Sequence, residues 1–148
     1  MTGQTTERCA IVIDAGLAPG LAANAAAVLA LTLGATVDGL VGPDLVDADG
    51  DVHPGLFSAG LPVLGATREA LSQLRAHALR AGVGVIDIPA LGQQTNDYDE
   101  VRAYVARTAT ADLEYLGLAL HGSRRAVSRV TGTLRLLGRP SPSASRAA

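Results

Sequence analysis

Asp14 closes the apolar run Cys9–Ile13, Asp87 stands near the end of the run Val83–Ile88, and His121 follows the run Tyr115–Leu120. Carboxylates and an imidazole at the ends of buried strands are proton carriers on rigid supports, which is what general acid–base chemistry requires. Asp87 and His121 are therefore the candidate catalytic residues. Around them stand groups able to hold a polar or anionic ligand: Asp14, the helix start at Pro19 and Gly20, Asn24, Ser123 and Arg124. A helix start aims free N–H groups at an anion, and a guanidinium fork grips phosphate or carboxylate through two parallel bonds. Each residue also has a plainer use. Asp14 and Ser123 would serve as caps, Asn24 would satisfy a buried backbone group, Arg124 would belong to a solvated helix face, and His121 would be exposed.

Metal and redox chemistry find less support. His53, His77 and His121 share no ligand spacing. Asp47, Asp49 and Asp51 alternate as in a calcium loop, but such a loop needs glycine sixth and glutamate twelfth, and Val52 and Ser58 stand there. No metal and no cofactor is expected. Cys9 is the sole cysteine, so an intramolecular disulfide is excluded. Within its apolar run it reads as a small core hydrophobe.

The elements that must position these residues follow from the patterning. A chain of 148 residues fits one domain that buries a core without disulfide or metal support. That core must be aliphatic, since aromatics make up only 3% of the sequence. Cys9–Ile13 reads as a strand buried on both faces. Pro19 opens a helix that is apolar nearly all round and is expected to stop at Gly34. Leu40–Val41 reads as a short strand, and Val46–Val52, with its Asp/Gly tip, as a hairpin. Leu61–Leu64 is a second core strand, followed by a helix capped by Thr67. Val83–Ile88 is a third strand, followed by a helix capped at Asn96 or Asp97 and burying Val101, Tyr104 and Val105. Tyr115–Leu120 is a fourth strand, leading into a helix that starts at Ser123 and ends at Gly132. Alternation of this kind predicts an α/β domain over 8–137, three-layered α/β/α on a mostly parallel mixed sheet of about four strands. Residues 138–148 read as a disordered tail. Asp14, Asp87 and His121 would then lie at the carboxyl ends of the strands, where such sheets bind ligands.

The net charge is −2 with every basic residue an arginine, which argues against a nucleic-acid partner. Met1–Arg8 is polar, and no apolar stretch of membrane-spanning length is expected, so the cytoplasm is the expected address.

Two stretches resemble type II peptidyl-tRNA hydrolases. One is Leu61–Gly92. The other joins Leu116-Gly117-Leu118-Ala119-Leu120-His121-Gly122 to Val130-Thr131-Gly132-Thr133-Leu134-Arg135-Leu136. A match over nearly the whole chain is carried by 18–31, by Leu40-Val41-Gly42-Pro43-Asp44 and by Asp49–Leu56. On these the chain resembles a bacterial family catalogued as domain of unknown function 2000, grouped with the peptidyl-tRNA hydrolase II-like fold. The resemblance implies a scaffold and a site location. It does not imply the reaction: Leu21 stands where the hydrolases carry a lysine, Ala90 where they carry an aspartate, and Thr95 is out of register with their threonine. Three functions follow as expectations. The first is a binder of a small polar or anionic ligand, enzymatic or not. The second is a non-catalytic homodimeric interaction module, suggested by the aliphatic surface of the first helix. The third is a residual peptidyl- or aminoacyl-tRNA hydrolase.

Overall fold

A computed structural model describes residues 7–139. The tail expected beyond 138 lies almost wholly outside the described residues.

The two longest apolar runs take the middle of the sheet, because only central strands bury both faces. These are β1 (Glu7–Asp14) and β6 (Tyr115–Ser123), paired antiparallel from Glu7↔Ser123 to Ile13↔Gly117. Gly117 is required there, since a Cβ would stand 2.8 Å from Ile13 Cδ1 and 2.9 Å from the Val12 carbonyl oxygen. β4 (Val63–Ala66) pairs parallel with β1 on its other side, and the short β7 (Arg135–Leu136) closes that edge antiparallel. β5 (Gly84–Pro89) forms the opposite edge against β6, giving the order β5-β6-β1-β4-β7.

Helices cover both faces. α1 (Pro19–Thr36) buries Ala22, Ala25, Leu29 and Leu33 against Cys9, Ile11, Ile13 and Ala119. α2 (Arg68–Arg80) and α4 (Arg124–Thr131) bury Leu71, Ala78, Val127 and Val130 against Val12, Leu64, Leu118 and Leu120. Leu29 and Leu71 are wholly buried, and each such side chain contributes about 1.5–3 kcal/mol. α1 runs through Gly34 to Thr36, because a lone interior glycine costs a helix only about 1 kcal/mol. α1 is also long and apolar enough, by length and composition alone, to cross a membrane, although Asn24 and Thr32 interrupt its apolar run.

The sheet departs from the expected one in direction and in number. Among the described residues it has five strands, and its only parallel pair is β1 with β4. The reason lies in α3 (Tyr98–Ala106), which buries no residue; Val101 and Tyr104 are half-buried and Val105 is exposed. A crossover helix returns the chain to the start of the next parallel strand only by packing along the sheet. α3 instead sits beside the 3-10 turn Ala90–Gln93, so the chain enters β6 at the end where it left β5. β6 therefore runs opposite to β5. The expected hairpin is present as β2 (Leu45–Val46) and β3 (Val52–His53), standing outside the main sheet.

Candidate functional site

β1, β4 and β5 all point their carboxyl ends the same way, and a cleft of about 490 Å³ opens at that end, between α1 and β5 with the segment after it. Helical spacing puts Leu21, Asn24 and Val28 of α1 on the wall. Ile86, Ile88 and Pro89 of β5 and Leu116 of β6 form the back, and Thr95, Tyr98 and Val101 the far side. Most of the lining is apolar. Among the described residues the Asn24 side-chain amide has no hydrogen-bond partner, so both its donor and its acceptor are open to a ligand. Among the described residues no arginine or histidine lines this cleft.

Of its other polar groups, Thr95, Asp97 and Asp87 are engaged, whereas the side chains of Thr32, Gln93, Asn96 and Tyr98, like that of Asn24, have no hydrogen-bond partner among the described residues. Thr95 Oγ1 accepts from Asp97 N at 3.0 Å, and Asp97 Oδ1 caps α3 by accepting from Asp99 N at 2.9 Å. Asp87 borders the cleft from β5, but its carboxylate accepts from Arg75 Nε at 2.8 Å. That bond holds the Arg75 guanidinium above its ordinary pKa. The same guanidinium lies 5.4 Å from the centre of the Tyr115 ring. Burial raises the Tyr115 hydroxyl, and Arg75 opposes that in part.

The remaining predicted residues divide by location. Asp14 is buried at the end of β1, where Oδ1 accepts from Gly16 N at 2.9 Å and Oδ2 from Arg68 Nε at 2.9 Å. It ties β1 to the start of α2 and does not line the cleft. Pro19 and Gly20 form the exposed first turn of α1, just outside the lining between Leu17 and Leu21. His121, Ser123 and Arg124 are not at this end at all, because the reversal of β6 carries them to the opposite end of the sheet. There His121 Nδ1 lies 3.3 Å from Glu7 Oε2, and its imidazole covers Gly84, whose missing Cβ makes room for it. Ser123 Oγ caps α4 by accepting from Ala126 N at 3.2 Å, and Arg124 is exposed. The structure thus puts Asn24 on the cleft wall, turns the Asp87 carboxylate from the bordering strand to Arg75 on the opposite face of the sheet, and separates both from His121. The sequence reading missed Ile88 and Tyr98 as lining residues. Only the spacing of Leu21, Asn24 and Val28 along α1 pointed towards this wall.

His53 pairs with Asp47 in the hairpin, at 3.2 Å, and does not line the cleft. Among the described residues no group of three or more His, Cys, Asp or Glu side chains is placed to hold a metal ion.

A family model described as "Protein of unknown function (DUF2000)" matches residues 7–138. The chain belongs to the DUF2000 family. No curated protein matches it. Among solved structures, this DUF2000 chain is similar to a protein of unknown function, Atu0240, from Agrobacterium tumefaciens strain C58. The TM-score is 0.81 at 20% identity, covering 90% of this chain and 98% of that one. At that identity the likeness shows the shared mixed α/β fold.

Proposed function

We propose that the DUF2000 cleft binds a small uncharged molecule with a mainly apolar body, oriented by hydrogen bonds to the Asn24 amide. The observation that carries this reading is the exposed Asn24 amide, which has no hydrogen-bond partner among the described residues and stands between Leu21 and Val28 on the cleft wall. The cleft volume, about 490 Å³, falls within the range of ordinary ligand pockets, which pair apolar linings with a few placed polar groups. Of the polar-or-anionic expectation, the polar part is kept. The anionic part loses its cation, since Arg124 lies at the other end of the sheet and Leu21 offers none.

The reading is of binding, without an assigned reaction. Asp87, the nearest candidate base, is engaged by Arg75, and His121 is remote. We also read the scaffold as peptidyl-tRNA hydrolase II-like, supported by the Val130–Leu136 phrase, which supplies the end of α4 and the edge strand β7. On that reading Leu21 occupies the lysine's place on the cleft wall, and a neutral ligand site replaces an anion-handling one.

Thermal-shift screening of the full chain with matched neutral and anionic compounds tests the proposal. At a hundredfold excess over Kd, a neutral binder stabilises by about 2.7 kcal/mol, a rise of several degrees in Tm. The rise should disappear in both Asn24→Ala and Val28→Glu. A set of binders made up of anions, or a shift that survives both substitutions, overturns it.

A further inference from the structure

Between Arg8 and Arg68 the sequence holds six aspartates and no lysine or arginine, whereas after Glu114 it holds six arginines and no carboxylate. The structure gathers these charges into two exposed features. The acidic one is the hairpin arm. Residues 43–54 are all exposed except that the arm folds on itself through β2 and β3. Asp47 Oδ1 accepts from Asp49 N at 2.9 Å and Asp51 N at 3.0 Å, and Asp44 Oδ1 accepts from Gly55 N at 3.0 Å. The arm is therefore internally fixed. Yet Leu45, Val46, Val52 and Leu56 are each more than half exposed, and an isolated two-stranded hairpin has little stability of its own in water.

The basic feature is formed by α4 and β7. Arg124, Arg125, Arg129, Arg135 and Arg139 are exposed there, beside the half-exposed Leu136. Among the described residues none of these five arginines forms an ion pair, and no carboxylate of the arm meets an arginine. The arm leaves α1 at the end of the sheet where β6 delivers Arg124, and from there the arginine face runs along α4 to β7, whose Arg135 pairs with Gly65 toward the other end.

We propose that the arm's partner is a second copy of this chain, with the acidic apolar arm of each protomer seated on the arginine face of the other. A two-fold axis makes the contact reciprocal, so each copy gives one arm and receives one. The charges are complementary between copies and repulsive between like features, which is how an interface fixes its register. The twelve residues 43–54 and ten exposed residues of 124–139 together fall within the 20–30 a side that standard interfaces use. The exposed apolar side chains of the arm supply the water-excluding part of the contact.

The test is sedimentation of the full chain and two charge-reversed variants. One carries Asp49→Arg and Asp51→Arg in the arm. The other carries Arg124→Glu, Arg125→Glu and Arg129→Glu on α4. None of these side chains ties the fold together, and circular dichroism checks that each variant is folded. The wild type should sediment as a dimer that weakens at least tenfold between about 0.05 M and 0.5 M salt. Each variant alone should be a monomer, since the arm reversals cancel the arm's net charge and the α4 reversals leave both features acidic. An equimolar mixture should restore a dimer, because the unreversed arm of one variant then meets the unreversed arginine face of the other. A monomeric wild type, a dimer indifferent to either set of reversals, or an arginine face that takes up RNA as a monomer overturns the proposal.

Discussion

Asp14 Oδ2 accepts a hydrogen bond from Arg68 Nε at 2.9 Å, joining the last residue of β1 to the first turn of α2. The aspartate side chain is 8% exposed and the arginine 35% exposed, so the carboxylate sits in protein and the guanidinium reaches water. Its other oxygen holds the Gly16 amide, which shapes the turn leading to α1 and the cleft wall. Asp14 is thus a structural tie.

Asp14→Ala should destabilise the protein by about 1–3 kcal/mol, the cost of losing the charge-assisted bond from Arg68 and the bond from the Gly16 amide. Urea denaturation measures this. A stability unchanged within error would show that the pair is dispensable and that the turn holds by itself.

Gly117→Ala should cost about 1–3 kcal/mol, because its new methyl group meets Ile13 and the Val12 carbonyl in a sheet that cannot open locally. The same substitution at Gly20, where a Cβ would meet nothing within 4 Å, should be near neutral or slightly stabilising. Comparing the two denaturation curves separates close packing from a general intolerance of change at glycine.

Tyr115 and Cys9 predict the alkaline limit. Burial raises both above their ordinary pKa values; Asp87 adds to the effect at Tyr115, and Glu7 at Cys9. For each the folded chain favours the neutral form, so the unfolded chain gives up the proton first as pH rises. Their contribution is complete below about pH 9 and is lost as pH climbs through the raised values. Combining Tyr115→Phe with Cys9→Ala should flatten that alkaline decline. At pH 7 Tyr115→Phe alone should change stability by less than about 1 kcal/mol, because its buried hydroxyl has no hydrogen-bond partner to lose. A large loss at pH 7 would reveal such a partner.

Helical spacing made one wall of the cleft legible: Leu21, Asn24 and Val28 share a face of α1, and they line the cleft together. The runs at Cys9–Ile13 and Tyr115–Leu120 likewise read as core strands because a strand buried on both faces is apolar at every position. The direction of β6 was not legible. Val101, Tyr104 and Val105 looked like the buried stripe of a crossover helix, and a short amphipathic helix carries no mark of whether it packs along a sheet or beyond its end. His121 was placed at the wrong end for that reason alone, and Ser123 and Arg124 went with it. The hairpin arm was legible from its Asp/Gly tip, whereas its isolation depends on what its neighbours leave uncovered.

Leu21→Lys puts an ammonium group back on the cleft wall, where the hydrolase resemblance would have it. It should turn the preference of the cleft from neutral to anionic compounds, by tenfold or more for a singly charged ligand, since one charge-assisted bond contributes about 1.5–3 kcal/mol. Isothermal titration with a neutral and anionic pair reads the ratio directly. An unchanged ratio would mean that residue 21 does not face the ligand.

The most direct test of the central claim is the side-chain amide resonance of Asn24 in nitrogen-labelled protein, followed through titration with neutral and anionic fragments. The account predicts a saturable shift of that resonance with neutral fragments, accompanied by shifts at Val28 and Thr95, and none with anions alone. Saturable binding that leaves Asn24 unmoved, or that moves His121 and Arg124 instead, would contradict it.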